Sequence, residues 1–128
     1  DVYKRQMLTR DKIPFIDENR SMTKALKIMT EKKLGTLIVR NKKKYTTGIV
    51  TDGQIRRFNS KNINLNSLKV KNVMTKNPIK VDKNILATKA LSIMNEKKIT
   101  SLCVYERERK FITIGILHIH NILNKKIY

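Results

Sequence analysis

Two short segments hold the residue types that can do chemistry. Thr51-Asp52-Gly53-Gln54-Ile55-Arg56-Arg57 brings together a hydroxyl, a carboxylate, an amide and two guanidinium groups. His118-Ile119-His120-Asn121 brings together two imidazoles and an amide. Each segment follows a β-type run, Gly48-Ile49-Val50 or Gly115-Ile116-Leu117, and opens a helical pattern. A helix start presents free backbone N–H groups and a partial positive charge, which suits phosphate or another anion. Thr51 adds a hydroxyl to such a site, and Arg56 and Arg57 add cations. The plainer reading is that Thr51 and Asp52 cap the short helix and the arginines are solvated; capping does not exclude ligand contact.

This is binding chemistry more than catalysis. Ser21, Thr100 and Ser101 lack a His/Asp arrangement that would make a nucleophile. No phosphate-cradling glycine loop is present. His118 and His120 fall on one side of an extended chain, but only Cys103 could add a soft ligand, so no metal site is expected. Cys103 lies in the apolar run Leu102-Cys103-Val104 and reads as a buried structural thiol. A single cysteine excludes an intrachain disulfide and fits a reducing, cytoplasmic setting. No apolar stretch approaches the roughly 18 residues of a membrane span.

The elements that must position these segments come in two copies. Thr23-Lys24-Ala25-Leu26-Lys27-Ile28-Met29-Thr30-Glu31-Lys32-Lys33 returns as Thr88-Lys89-Ala90-Leu91-Ser92-Ile93-Met94-Asn95-Glu96-Lys97-Lys98. Each copy opens extended after a proline, at Phe15-Ile16 and at Ile79-Lys80-Val81. A helix follows in each, with Ser21 as N-cap of the first and Asn84 near the cap of the second. Strands are expected at Thr36–Val39 and Ser101–Val104, then at Tyr45–Val50 and Phe111–Leu117. Short helices at Gly53–Phe58 and Ile119–Asn124 close the copies. The fold class is α+β, with two β-α-β-β-α repeats packed with pseudo-two-fold symmetry around a shared cleft. Residues 1–7 read as a truncation or junction segment of a longer parent, 8–58 as repeat 1, 59–71 as a connector and 72–128 as repeat 2. Ile63, Leu65 and Leu68 are placed to anchor the connector. Neither repeat alone has ample apolar surface.

The chain has 128 residues and a formal net charge of +19. Such a charge suits nucleic acid, an anionic surface or a phosphorylated small molecule. The Lys and Arg residues are scattered, however, and no basic stripe is interleaved with aromatics as single-strand binding would want. A solvated lysine-rich surface is the expectation, with no membrane partner. The rival from another class is a basic nucleic-acid-binding module.

The two repeats resemble a pair of cystathionine-β-synthase-type (CBS) domains, a Bateman module. The resemblance rests on Val73-Met74-Thr75-Lys76-Asn77-Pro78, on the junction Gly48 to Ile55, and on the element order. It covers about residues 8 to 126. More narrowly, Thr51–Arg57 together with Leu117–Leu123 looks like the C-terminal CBS pair of arabinose-5-phosphate isomerases, which feed Kdo synthesis for lipopolysaccharide or capsule. The resemblance implies an upstream sugar-isomerase domain, no catalytic activity in this portion, a homodimer and no required cofactor. It also implies a small anionic ligand, such as AMP, ATP or a CMP-Kdo-like sugar nucleotide. Some nucleotidyltransferase-linked CBS pairs carry a similar Thr-Asp-Gly junction, so a dimerisation platform of another enzyme is the alternative. The expected ligand-binding residues are Thr51, Asp52, Gln54, Arg56, Arg57, Thr75, Pro78, Thr100, Ser101, His118, His120 and Asn121. The family pattern has Ser/Thr at the junction for phosphate and an Asp three residues later for ribose. Here Gln54 and Asn121 stand at the Asp positions, and His118 replaces the second Ser/Thr. Exchanging carboxylate for amide costs a ligand on the order of 1 kcal/mol.

Overall fold

A computed structural model describes residues 8–9, 12–33, 35–120 and 122–123. The chain divides into two compact units, Pro14–Pro78 and the combination of Asp1–Ile13 with Ile79–Tyr128. The named elements are β1 (Leu8–Thr9), β2 (Phe15–Asp17), α1 (Met22–Lys32), β3 (Thr36–Arg40), β4 (Thr46–Thr51) and α2 (Asp52–Ser60). They continue with β5 (Thr75–Lys76), β6 (Lys80–Asp82), α3 (Ala87–Lys97), β7 (Ser101–Tyr105) and β8 (Gly115–His118).

In the first unit the sheet runs β2-β3-β4-β5. Strands β2 and β3 are parallel, with Phe15 opposite Ile38. A parallel pair needs a crossover, and α1 supplies it. Ser21 caps α1 as its type predicts, its Oγ accepting from the Lys24 N–H at 3.2 Å. Met22, Ala25 and Met29 turn the helix's apolar stripe onto Leu37, Val39 and Val50 of the sheet. β3 and β4 are antiparallel, and Thr36 faces Thr51. The turn between them is held by Asn41, whose Oδ1 accepts from the N–H groups of Lys43 and Tyr45 at 2.9 and 3.1 Å.

The connector is part of this core. Leu65, Val70 and Val73 are buried in it and Leu68 packs against it, whereas Ile63 stays 38% exposed. Backbone bonds from Met22 N–H to the Leu68 carbonyl and from Val70 N–H to the Arg20 carbonyl, both 2.9 Å, tie it to the start of α1. It then enters β5, which pairs with β4 at Gly48 and Ile49. A Cβ at Gly48 would stand 2.9 Å from the Thr75 carbonyl oxygen, so only glycine lets β5 approach here.

The second sheet runs β1-β8-β7-β6, in the same pattern of one parallel and two antiparallel pairings. Its fourth strand is Leu8–Thr9, which lies far away in sequence from the strand it joins. Ala90 and Met94 of α3 pack with Leu102, Val104 and Leu117. Two local expectations change. Asn84 does not cap α3: its N–H bonds to Asp82 Oδ1 at 2.8 Å, and Leu86, which has no capping side chain, takes the N-cap position. The last strand begins at Gly115 instead of Phe111, because a turn around Glu106 and Arg109 consumes the intervening residues and leaves Phe111 62% exposed. Of the closing helix, Ile119, His120, Ile122 and Leu123 are helical.

Both long helices stop at a lysine in the left-handed region, Lys33 at φ 54° and Lys98 at φ 56°. A side chain there opposes its own backbone, at a cost of roughly 1 kcal/mol relative to glycine. Lys33→Gly and Lys98→Gly are each expected to stabilise the protein by about 1 kcal/mol, read as a higher midpoint in thermal unfolding.

Candidate functional site

In the first unit the junction is built around Gln54. This side chain is only 5% exposed, and its amide is fully engaged. Its Oε1 accepts from the Thr51 N–H at 2.7 Å and from the Thr51 hydroxyl at 3.3 Å. Its Nε2 donates to the Val73 carbonyl at 3.2 Å and to Thr75 Oγ1. An amide has two donor hydrogens and two acceptor lone pairs, so none remains for a ligand. The orientation is unambiguous, because a backbone N–H can only donate and a backbone carbonyl can only accept. The residue expected to meet ribose therefore performs a structural task. It closes the first turn of α2 and clamps that turn to the segment entering β5.

The remaining groups of this junction face outward. The Asp52 N–H bonds to the Gly35 carbonyl at 3.0 Å, fixing where the helix begins. The Asp52 carboxylate lies against Gly35, since a Cβ there would come within 2.7 Å of Oδ2. Arg56 and Arg57 are exposed on the same helix. They converge on Gly53: a Cβ at that position would find Arg57 Nη1 and Thr51 Oγ1 at 3.8 Å and Arg56 Nη2 at 3.9 Å. The helix start, two guanidinium groups and a hydroxyl thus surround a bare backbone position. Thr75 is drawn in through Gln54, while Pro78 is buried without a polar role.

The second unit repeats the backbone closure but not the side chains. Ile119 N–H bonds to the Thr100 carbonyl at 2.8 Å, as Asp52 does to Gly35. Ser101, buried, is the register partner of His118 across β7 and β8. His118 and His120 stack with ring centroids 5.0 Å apart and an interplanar angle of 26°. The His120 N–H donates to His118 Nδ1 at 3.3 Å, so the neutral His118 ring carries its proton on Nε2. Burial, with the neighbouring His120 charge second, lowers the His118 pKa below the usual histidine value. Asn121 lies outside the described residues. Cys103 is buried, and that burial pushes its thiol pKa up to about 11 against smaller opposing effects of Thr113 and Lys80. A thiol so placed is protonated and unreactive at neutral pH. Among the described residues no group of three His, Cys, Asp or Glu side chains could hold a metal ion.

Two features of the site were not anticipated from sequence: the saturation of Gln54 and the niche over Gly53. A signal for the first was present, because Thr51-x-x-Gln54 has the spacing of a capping box. Nothing in the sequence pointed to Val73 as its second anchor, since that carbonyl arrives only through the fold.

The CBS domain family matches the chain twice, at residues 5–61 and 70–127. Arabinose 5-phosphate isomerase KdsD of Yersinia pestis is 36% identical over 117 residues, which cover 91% of this chain and 35% of the isomerase. An uncharacterised protein of Rickettsia prowazekii is 37% identical over 118 residues, 92% of this chain and 35% of that protein. The crystal structure of CBSX2 in complex with AMP matches with a TM-score of 0.81 at 23% identity, covering 98% of this chain and 95% of that one. The two small sheets with their helices are thus the fold of CBS pairs. The chain spans about 35% of the length of the curated relatives it matches.

Two outcomes follow from the geometry. Gln54→Glu removes both donors and sets a carboxylate against the Val73 carbonyl, so it is expected to destabilise the protein by about 1–3 kcal/mol in urea unfolding. The lowered His118 pKa means that the unfolded state takes up the proton first on acidification. Its contribution to stability is therefore present above about pH 6.5 and is lost as the pH falls through that value towards the lower folded pKa. Unfolding curves across this range should show the loss, and His118→Gln should flatten it.

Proposed function

The chain belongs to the CBS domain family as a tandem pair, and from that membership we propose that it is the regulatory module of an arabinose-5-phosphate isomerase, binding a nucleotide or sugar nucleotide by its phosphate. The observation that carries the ligand reading is the niche over Gly53. Arg56 and Arg57 bring cationic groups to a helix start where the backbone is bare. Charge-assisted hydrogen bonds from guanidinium to phosphate are among the stronger polar contacts available, and the helix dipole adds to them. The saturated Gln54 amide leaves ribose without the acceptor that a free carboxylate would supply, so recognition rests on the phosphate. In the second unit His118 Nε2 is the donor proposed to meet a ligand oxygen, with His120 stacked beside it.

The assignment to an isomerase rests on identity of about one third over nearly the whole chain. AMP in CBSX2 supports a nucleotide as ligand class. The parent would be a cytoplasmic enzyme of the Kdo pathway, paired through its CBS modules as a homodimer. Ligand binding would act by favouring one arrangement of the module over another, and so one state of the attached domain.

Calorimetry against AMP, ATP, CMP and CMP-Kdo is the direct test. Saturable binding of at least one is expected, and silence from all four at millimolar concentration would sink the sensor reading in favour of a dimerisation platform. Gly53→Ala provides the sharper check. Its methyl group fits at ordinary contact distance and replaces a helix glycine, so stability should hold or rise, while the filled niche lowers affinity about tenfold or more. Upstream in the gene, a sugar-isomerase domain is expected; its absence would refute the parent enzyme.

A further inference from the structure

The first unit has a second concave basic site at the other end of its sheet. Phe15, Ile16 and Asp17 of β2, Arg40 at the end of β3, and Asn41, Lys42 and Lys44 of the following turn line an open hollow of about 260 Å³. The α2 junction lies at the Thr36 end of β3, and this hollow lies at the Arg40 end, about 13 Å along the strand at the usual rise per residue. The two sites share no residue.

We propose that this hollow is a separate binding site for a small phosphorylated molecule, with Arg40 as the principal phosphate ligand. The Arg40 guanidinium carbon stands 4.0 Å from the centroid of the Phe15 ring. The ring holds the guanidinium in place, so less side-chain freedom is lost when an anion docks. Arg40 is half-buried and has no carboxylate partner among the described residues. Burial lowers its pKa, as expected for a cation partly removed from water. Lys42 and Lys44 are exposed on the turn and flank the same space. Lys44 is held at φ 68°, and the Asn41 side chain fixes the turn that carries both lysines. The single carboxylate of the lining, Asp17, is engaged by the Asn19 N–H at 2.8 Å. Three cations against one carboxylate leave the hollow with an unbalanced positive charge.

The second repeat serves as an internal control. By strand register, Lys80 stands where Phe15 does and Tyr105 where Arg40 does. The next residue there is Glu106, whose carboxylate pairs with Lys83 Nζ at 3.7 Å. The repeat scaffold therefore does not require an unpaired guanidinium at this place; the first unit alone supplies one. The concave shape favours a small molecule over a lipid surface, which needs a projecting or flat face.

The test is a titration of the 128-residue chain with pyrophosphate and with glycerol 3-phosphate, followed by amide NMR shifts in about 0.15 M salt to screen diffuse attraction. Saturable shifts are expected at the amides of Asp17 and Arg40 to Lys44. Arg40→Gln should weaken that binding about tenfold or more, and Arg40→Lys should restore it only in part, because a lysine cannot bind bidentately. Phe15→Leu, which keeps the charge but frees the guanidinium, should weaken binding without unfolding the unit. Gly53→Ala should leave these shifts unchanged, which separates this site from the α2 niche whatever that niche binds. The proposal is overturned by any of three results: no saturable shift at these amides, shifts confined to Asp52–Arg57, or a loss on Arg40→Gln matched by Lys27→Gln through net charge alone. Binding to anionic phospholipid vesicles without binding of either free phosphate compound would overturn it equally.

Discussion

The four hydrogen bonds of one buried amide hold the first unit's functional end together. Gln54 fixes the onset of α2 through Thr51 and fixes the connector through Val73 and Thr75. A buried polar group with every bond made is rigid and specific, and one with a bond removed is costly. The position of the bare Gly53 backbone and of the arginines one turn later follows from that clamp. So does the path of the chain into β5, which the absent side chain of Gly48 then admits against β4.

A shared backbone closure explains how two like repeats acquire unlike chemistry. Both junctions begin their helices with the same backbone bond, from Asp52 to Gly35 and from Ile119 to Thr100. That bond is indifferent to side chains, so it tolerates His118 in place of Thr51 and His120 in place of Gly53. The first junction becomes a niche flanked by the two guanidinium groups of Arg56 and Arg57. The second depends on a histidine kept neutral by burial and by its stacked neighbour. The opposite end of each sheet diverges in the same way, with Arg40 over the Phe15 ring in one unit and a Glu106–Lys83 pair in the other.

Much of the scaffold was legible in advance because its signals are local and repeated. The apolar stripes of α1 and α3, the Ser21 cap and the β-type runs before each junction can all be read from near neighbours. The misreadings also have physical causes. Asn84 stands two residues before Leu86, the α3 N-cap, and the Asp82 side chain holds its backbone N–H there. The run from Phe111 to Ile114 looks like strand, yet the Glu106–Arg109 turn uses those residues to return the chain. At the α2 junction, the sequence supplies the residue types of Thr51, Arg56 and Arg57 but not their arrangement around Gly53. The engagement of the Gln54 amide has no local signal, because one of its partners is the Val73 carbonyl, many residues further on.

The amino-acid sequence alone determined the duplication, the α+β element order and the residue types at each junction. These are consequences of periodicity and side-chain chemistry, which act over a few residues. Only tertiary structure decided which polar groups are already satisfied and which remain available. It spent the Gln54 amide on the fold, gathered the Arg56 and Arg57 cations around Gly53, and set Arg40 over Phe15 without a carboxylate partner among the described residues. A hydrogen-bond partner that comes from a distant strand or connector leaves no local trace, and so the division between structural and available groups appears only once the chain is folded.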